Sequence, residues 1–503
     1  MNPSYANNSL FTFPDPDDYR RLFNLLEDLG YTDANIVKVL GVKELSEIHN
    51  SDVPLLLHRT KGAGALNTMI RLFLVEVPCD IEAVQQAIQP IKLETLVHAG
   101  LVRIDQSSVS AAVILMPFQN LKLVFDMART LLGPLARKYV MGIGRTTLAL
   151  ANLTIRKHSR LTLDLGSGCG IQAFLSAGHS DRIMAVDRNP RAVKLAVFNA
   201  KLNGINNVAF LEGSFFEPVE GHQFDLVVTN PPFVISPETQ YIFRDSGIPA
   251  DTVCKQIVRE VPEFLTEGGF CQMICNWVEK AGEDWRQRLQ SWFQGTGCDA
   301  WVMRMETQDT ATYASTWIRQ IEQYKPKAYT QRLEEWMKYY GEEGIDAIST
   351  GFITMRRSNH PPNWFRTDDG PERMLGACGE FVARGFELRD FLESAKDDSQ
   401  LLDVCLRVSA DLRLDRHFGP SNEGWSETST LLRLARGFAY TGNIDPYVAK
   451  MVVACNGQHP LRELLADMVA SLGRTTSEVT PHFCMVVRGL IERGFLLPPG
   501  IEN

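Results

Sequence analysis

One stretch, residues 161–235, constrains everything else in the chain. It contains LTLDLGSGCGIQAFL, RIMAVDRNPRAVKLAVFNAKLNG, VAFLEGSFFEP and FDLVVTNPPFVI in that order. The runs Leu161–Leu165, Ile183–Val186 and Leu226–Val228 are continuously apolar in character, as strands buried on both faces of a parallel sheet are. Glycines follow the first run, Asp187 ends the second, and Asn230-Pro231-Pro232-Phe233 follows the third. Ligands of an open α/β sheet sit beyond the carboxyl ends of its strands. Three chemically loaded ends therefore predict one pocket.

The rest of the chain is arranged around that stretch. A length of 503 residues exceeds one ordinary core and predicts two to four domains. We divide it into residues 1–134, 135–366 and 367–503. The first 15 residues are polar and read as a mobile lead-in. Helical periodicity follows from Tyr19, over Ala65–Val75, over Ile81–Gln89 up to Pro90, and over Leu93–Gly100. Leu101–Ile104 and Ser110–Met116 are expected to pair as a hairpin. Helices followed by two strands predict a winged-helix-like module, either recognising a substrate or partner or packing as a cap. Beyond Phe233 come a helix over Asp251–Leu265, a strand over Gly269–Trp277, a helix near Glu283–Phe293 and a strand over Ala300–Met305. A helical insertion near residues 311–340 precedes a last strand, Ile348–Arg356. The runs Asn359–Pro362 and Thr367–Glu372 mark the next boundary. The final segment is expected to be mainly helical, with helices Leu461–Leu472 and Val479–Gly494. Its ending RGFLLP echoes HAGLV of the first module and suggests a second winged-helix-like unit.

A net charge of −9 disfavours an electrostatically driven nucleic-acid binder, without excluding a local basic groove. The ten cysteines form no CxxC pair; they read as reduced core residues, and no metal site is expected. Apolar runs such as Val109–Met116 are too short to span a bilayer. A cytoplasmic protein is the expectation.

The chemistry begins at Asp164-Leu165-Gly166-Ser167-Gly168-Cys169-Gly170. Alternating glycines let the backbone turn sharply and approach a ligand closely. The spacing differs from the GxGxxG that brings a helix end to a pyrophosphate, so a ligand without phosphates fits better. Asp187, about 20 residues on, is placed to accept hydrogen bonds from a ribose diol, while Asn189 is as well suited to cap the following helix. Ser214 and Phe215 end the next strand, where a hydroxyl and a ring face suit an adenine. Two prolines after a central strand end its ladder and stiffen the backbone. They aim the Asn230 side-chain oxygen and the Pro231 carbonyl outward as two acceptors for a planar NH2 group, with Phe233 stacking on it.

In order and spacing these motifs resemble the class I S-adenosylmethionine-dependent methyltransferases of the small-domain group. That group includes the HemK/PrmC protein-glutamine N5-methyltransferases and the RsmC/RlmG ribosomal-RNA guanine-N2 methyltransferases. The resemblance implies an α/β, Rossmann-like, seven-stranded core flanked by mainly helical modules, with S-adenosylmethionine as cofactor. It implies that Gly166, Gly168 and Gly170 line the methionine part of the cofactor and Asp187 holds the ribose. Asp164, Ser167, Arg188 and Thr147 join the cofactor side, with Ser214 and Phe215 flanking adenine. Asn230 to Phe233 would hold the acceptor amine, and Arg244 and Asp245 would read the substrate or pair with each other. Glutamine methyltransferases commonly carry Tyr where Phe233 stands and an acidic residue where Ser214 stands. The acceptor, whether protein, RNA or small molecule, stays open. So do a small amine or peptide metabolite as substrate, and a catalytically silent scaffold that only binds the cofactor.

Overall fold

A computed structural model describes residues 10–45, 48, 52–245, 247–322, 326–360, 362–371, 373–422 and 424–502. It separates into two compact units, residues 1–151 with 158–369, and residues 152–157 with 370–503.

The first unit is α/β, centred on an eight-stranded sheet. Its strands are β1 (Ser159–Leu165), β2 (Ser180–Asp187), β3 (Val208–Glu212), β4 (Phe224–Thr229), β5 (Leu265–Glu279), β6 (Cys298–Asp309), β7 (Ala347–Arg357) and β8 (Phe365–Asp369). They lie in the order β8-β6-β7-β5-β4-β1-β2-β3. The first five are parallel in the doubly wound order 3-2-1-4-5, and β7 is antiparallel to both β5 and β6. Seven strands were expected. The eighth, β8, runs parallel to β6 and occupies residues 367–369 of the polar run read as a boundary. Edge strands are commonly polar, which hides them from an apolar-run criterion.

The helices α1 (Arg145–Leu153), α2 (Ile171–Ser176), α3 (Pro190–Leu202), α4 (Thr252–Glu260), α5 (Trp285–Phe293), α6 (Thr310–Glu322) and α7 (Pro326–Glu343) connect the strands. Helix α3 starts on Pro190, with the Asn189 side chain accepting from the Arg191 N–H at 3.1 Å. Its Asn199 and Asn203 each bond both backbone groups of one residue of the strand Leu121–Phe125. Two amides one helical turn apart thus extend a strand edge. Loss of either leaves buried backbone groups unpaired, at about 1–3 kcal/mol each.

The amino-terminal part of this unit carries helices and a three-stranded sheet of Cys79–Asp80, Val102–Asp105 and Ser108–Ala111. The expected hairpin is split. Val102–Asp105 pairs with Ser108–Ala111, and Ile114–Phe118 turns back on Leu121–Phe125 as a second hairpin. The lead-in also differs from expectation in its described part: Phe11 and Phe13 are buried, and Phe13 meets Phe198 of α3 at 5.2 Å. Residues 1–9 of that lead-in lie outside the described residues.

The second unit has helices Gly379–Ser394, Pro446–Ala454, Leu461–Leu472 and Thr476–Glu492 around its own apolar core. It is mainly helical, and it also carries a three-stranded antiparallel sheet of Leu412–Ser421, Gly424–Leu434 and Thr441–Ile444. The terminal Leu496–Leu497 pairs with Arg407–Val408. Among the described residues no helix is long and apolar enough to cross a membrane.

Candidate active site

The doubly wound order reverses between β1 and β4, and a cavity opens at that switch point beyond the strand ends. Leu165 is level with Val186 and with Thr229 across the two ladders. The Thr229 hydroxyl donates to the Leu165 carbonyl at 2.8 Å, fastening the two central ends together. The empty space there is about 1040 Å³ with open solvent at its mouth included.

Its first wall is the turn after β1. Gly166 and Gly168 have φ of 77° and 54°, and a Cβ on Gly168 would meet nothing within 4 Å. The N–H groups of Gly166 and Ser167 donate to the Val186 carbonyl, and that of Gly168 donates to Asp187 Oδ2 at 2.8 Å. Gly170 differs from the other two. It is not part of the cavity wall; its φ of 91° and the Phe174 ring 2.5 Å from where a Cβ would stand both require glycine at the start of α2. Ser167 lines the cavity with its hydroxyl buried and without a hydrogen-bond partner. A buried orphan hydroxyl is costly unless a ligand meets it.

Two carboxyl groups face this wall. Burial pushes Asp164 up to about 7, against one backbone hydrogen bond from Ala173 and with the Asp187 charge adding to the rise. Burial also raises Asp187, although the Asn189 and Gly168 N–H groups oppose it. Asp187, half-buried, also feels the Arg188 charge, whereas no cation offsets the fully buried Asp164; a carboxyl group of that kind favours a positively charged ligand. Cys169 is no nucleophile: burial pushes its thiol up to about 12.

Ser214 and Phe215 form the wall beyond β3. Phe215 sits at φ 47°, a left-handed conformation costing an L-residue on the order of 1 kcal/mol. Thr147 of α1 and the exposed Arg188 also belong to the polar lining.

The adjoining wall is the Asn230-Pro231-Pro232 segment after the neighbouring strand β4. A Cβ on Gly166 would come within 3.8 Å of the Asn230 carbonyl oxygen, so glycine turn and proline segment face each other closely. Phe233 stands apart from the lining; it is buried and meets Trp317 edge-on at 6.4 Å. Arg244 and Asp245 also stand apart. Both are buried, paired at 2.8 Å, and joined to Glu238 through Arg244 at 2.7 Å. Ile242 and Phe243, within the segment YIFRDSG expected to lie over the acceptor side, line the cavity, as does Tyr139, which the sequence reading did not single out and which meets Phe243 edge-to-face at 5.0 Å. An aromatic residue outside any motif gives no local signal of such a role.

Residues 142–296 match the family model described as "Methyltransferase small domain". Residues 28–112 and 383–498 match two models described as domains of unknown function. The chain is similar to a putative protein N5-glutamine methyltransferase of Methanocaldococcus jannaschii, with 35% identity over 134 residues covering 25% of this chain and 66% of that one. It is also similar to the release factor glutamine methyltransferase of Escherichia coli, with 35% identity over 140 residues covering 25% of this chain and 49% of that one. The corresponding protein of Aliivibrio fischeri gives 34% identity over 140 residues, covering 25% and 48%. The chain thus spans about half to two thirds of the length of these relatives.

Proposed function

We propose that the protein is an S-adenosylmethionine-dependent N-methyltransferase acting on a planar amide or amino nitrogen, with a protein glutamine side chain as the favoured acceptor. The observation that carries this reading is the close approach of the glycine turn and the Asn230-Pro231 segment across the switch point of one sheet. The glutamine preference rests on what the relatives are called.

The residues present fit the cofactor: the orphan Ser167 hydroxyl, the open space at Gly168, the buried Asp164 and the half-buried Asp187 suit a cationic nucleoside. S-adenosylmethionine would supply a methyl group already activated on a sulfonium, with a neutral thioether as leaving group, so the chemistry calls for neither a metal nor a covalent enzyme intermediate. Asp187 accepts from a ribose diol while its own backbone donors keep it in place. Ser214 and Phe215 border the base. Asn230 Oδ1 and the Pro231 carbonyl accept the two hydrogens of the acceptor NH2 group, which leaves the nitrogen lone pair exposed. Alignment of this kind supplies several kcal/mol of barrier reduction, and the same oxygens stabilise positive charge developing on the nitrogen. Phe233 supports the segment from behind, against Trp317. The enzyme would work in the cytoplasm, where its ten unpaired thiols stay reduced.

A tritiated-methyl transfer assay on fractionated lysate, scored separately for protein, RNA and small molecules, tests the reading. Label on glutamine of a protein is the expected outcome. Label on RNA or on a small amine would overturn the glutamine assignment, and no label in any fraction would favour a silent scaffold.

A further inference from the structure

After Thr229 the chain leaves the sheet, and residues 230–245 form no strand. Their buried backbone groups need partners; several bonds close within the segment, such as Val234 N–H to the Arg244 carbonyl, while both backbone groups of Ile235 are met by α6 and α7, outside the segment that matches the methyltransferase model. Ile235, two residues past Phe233, is fully buried. Its N–H donates to Tyr313 Oη of α6 at 3.1 Å, and its carbonyl accepts from Tyr340 Oη of α7 at 2.9 Å. Tyr313 Oη also accepts from Asn276 Nδ2 of β5 at 2.6 Å, so one phenol ties the sheet, the insertion and the proline segment together.

A second anchor follows at Glu238. Its Oε1 accepts from Arg332 Nη1 at 2.8 Å and from Trp336 Nε1 at 3.0 Å, both on α7. Its Oε2 accepts from Arg244 Nη2 at 2.7 Å. Asp245 in turn accepts from the Tyr241 N–H and the Ser236 hydroxyl, each at 3.1 Å. The loop that ends in Ile242 and Phe243 at the cavity mouth is therefore held at both its start and its finish.

We propose that α6 and α7 are the acceptor-positioning device of this enzyme, with Tyr313 and Tyr340 as positioning residues that fix the backbone on which Asn230 and Pro231 aim. The inference rests on the methyltransferase reading above. It adds that the acceptor half of the site is set by the insertion, independently of the cofactor half.

The test uses the full chain with Tyr313→Phe, Tyr340→Phe and the double variant. Three quantities are read: amide hydrogen exchange, affinity for S-adenosylhomocysteine, and transfer kinetics. Removing the two hydroxyls is expected to speed exchange over residues 231–245 by about tenfold or more, while residues 161–187 keep their protection. Affinity for S-adenosylhomocysteine should stay within about threefold and kcat should fall by roughly tenfold or more, since alignment alone is disturbed. Unchanged exchange over residues 231–245 would overturn the proposal. So would exchange rising equally through β5 and β7, or cofactor affinity falling in step with kcat; either marks a merely structural role. Failure of the function itself shows differently, as a wild-type chain without cofactor binding or transfer, and the exchange pattern still decides the fate of the two tyrosines.

Discussion

On the glycine side of the cavity, the bonds that shape the wall run between neighbouring strand ends: Gly166 and Ser167 to Val186, Gly168 and Asn189 to Asp187, Gly213 back to Asp187. On the proline side the corresponding bonds reach across the chain, 78 residues from Ile235 to Tyr313 and 105 to Tyr340. The difference teaches where variation can be accommodated. A wall made of backbone at strand ends is dictated by the sheet and suits a cofactor that never changes. A wall held by side chains of inserted helices can be reshaped without touching the sheet, which suits an acceptor that differs between enzymes.

Separating the two walls by mutation gives the largest expected effect. Asn230→Ala should lower methyl transfer by about a hundredfold or more, because an orienting acceptor is lost, while cofactor affinity by calorimetry stays within a few-fold. Equal losses in both quantities would merge the two walls into one and break the comparison.

The pH dependence sharpens it from the cofactor side. Asp164 is held protonated up to about 7 in the free protein, and a cationic ligand favours its charged form. Affinity for S-adenosylmethionine is therefore expected to fall by up to about tenfold per pH unit as pH drops below that value, and to level off above it. Calorimetric titrations from acid to neutral pH check this; a flat profile would remove Asp164 from the binding site. The sign for stability is opposite. Burial raises the folded carboxyl from 3.8 to about 7, so its stabilising contribution is complete below 3.8 and lost as pH rises through about 7 in the absence of ligand.

What the sequence made legible follows the same division. The turn at Gly166 and Gly168, the end of β2 at Asp187 and the position of Asn230 are local features, each announced by residue type and spacing. Asn189 as the cap of α3 was readable for the same reason. Gly170 carried the same signal as its neighbours, yet its place is decided by the Phe174 ring, which spacing does not reveal. Arg244 and Asp245 were visible as charges; their burial against Glu238, Arg332 and Trp336 depends on a helix roughly ninety residues away. In the fold, β8 escaped because its residues are polar. Phe11 and Phe13 escaped because a polar, Pro-containing lead-in shows no periodicity, and only the presence of Phe198 gives them a place to pack.

The central claim is that a cationic nucleoside lies against the glycine turn and the adjoining proline segment at one switch point. The most direct measurement is a titration of the full chain with S-adenosylhomocysteine, followed by hydrogen exchange. One binding site is predicted, with protection gained at residues 166–168, 187–189 and 213–215 and at Asn230, which precedes two prolines that carry no amide hydrogen. Absence of binding, or protection gained away from these positions, would contradict the account.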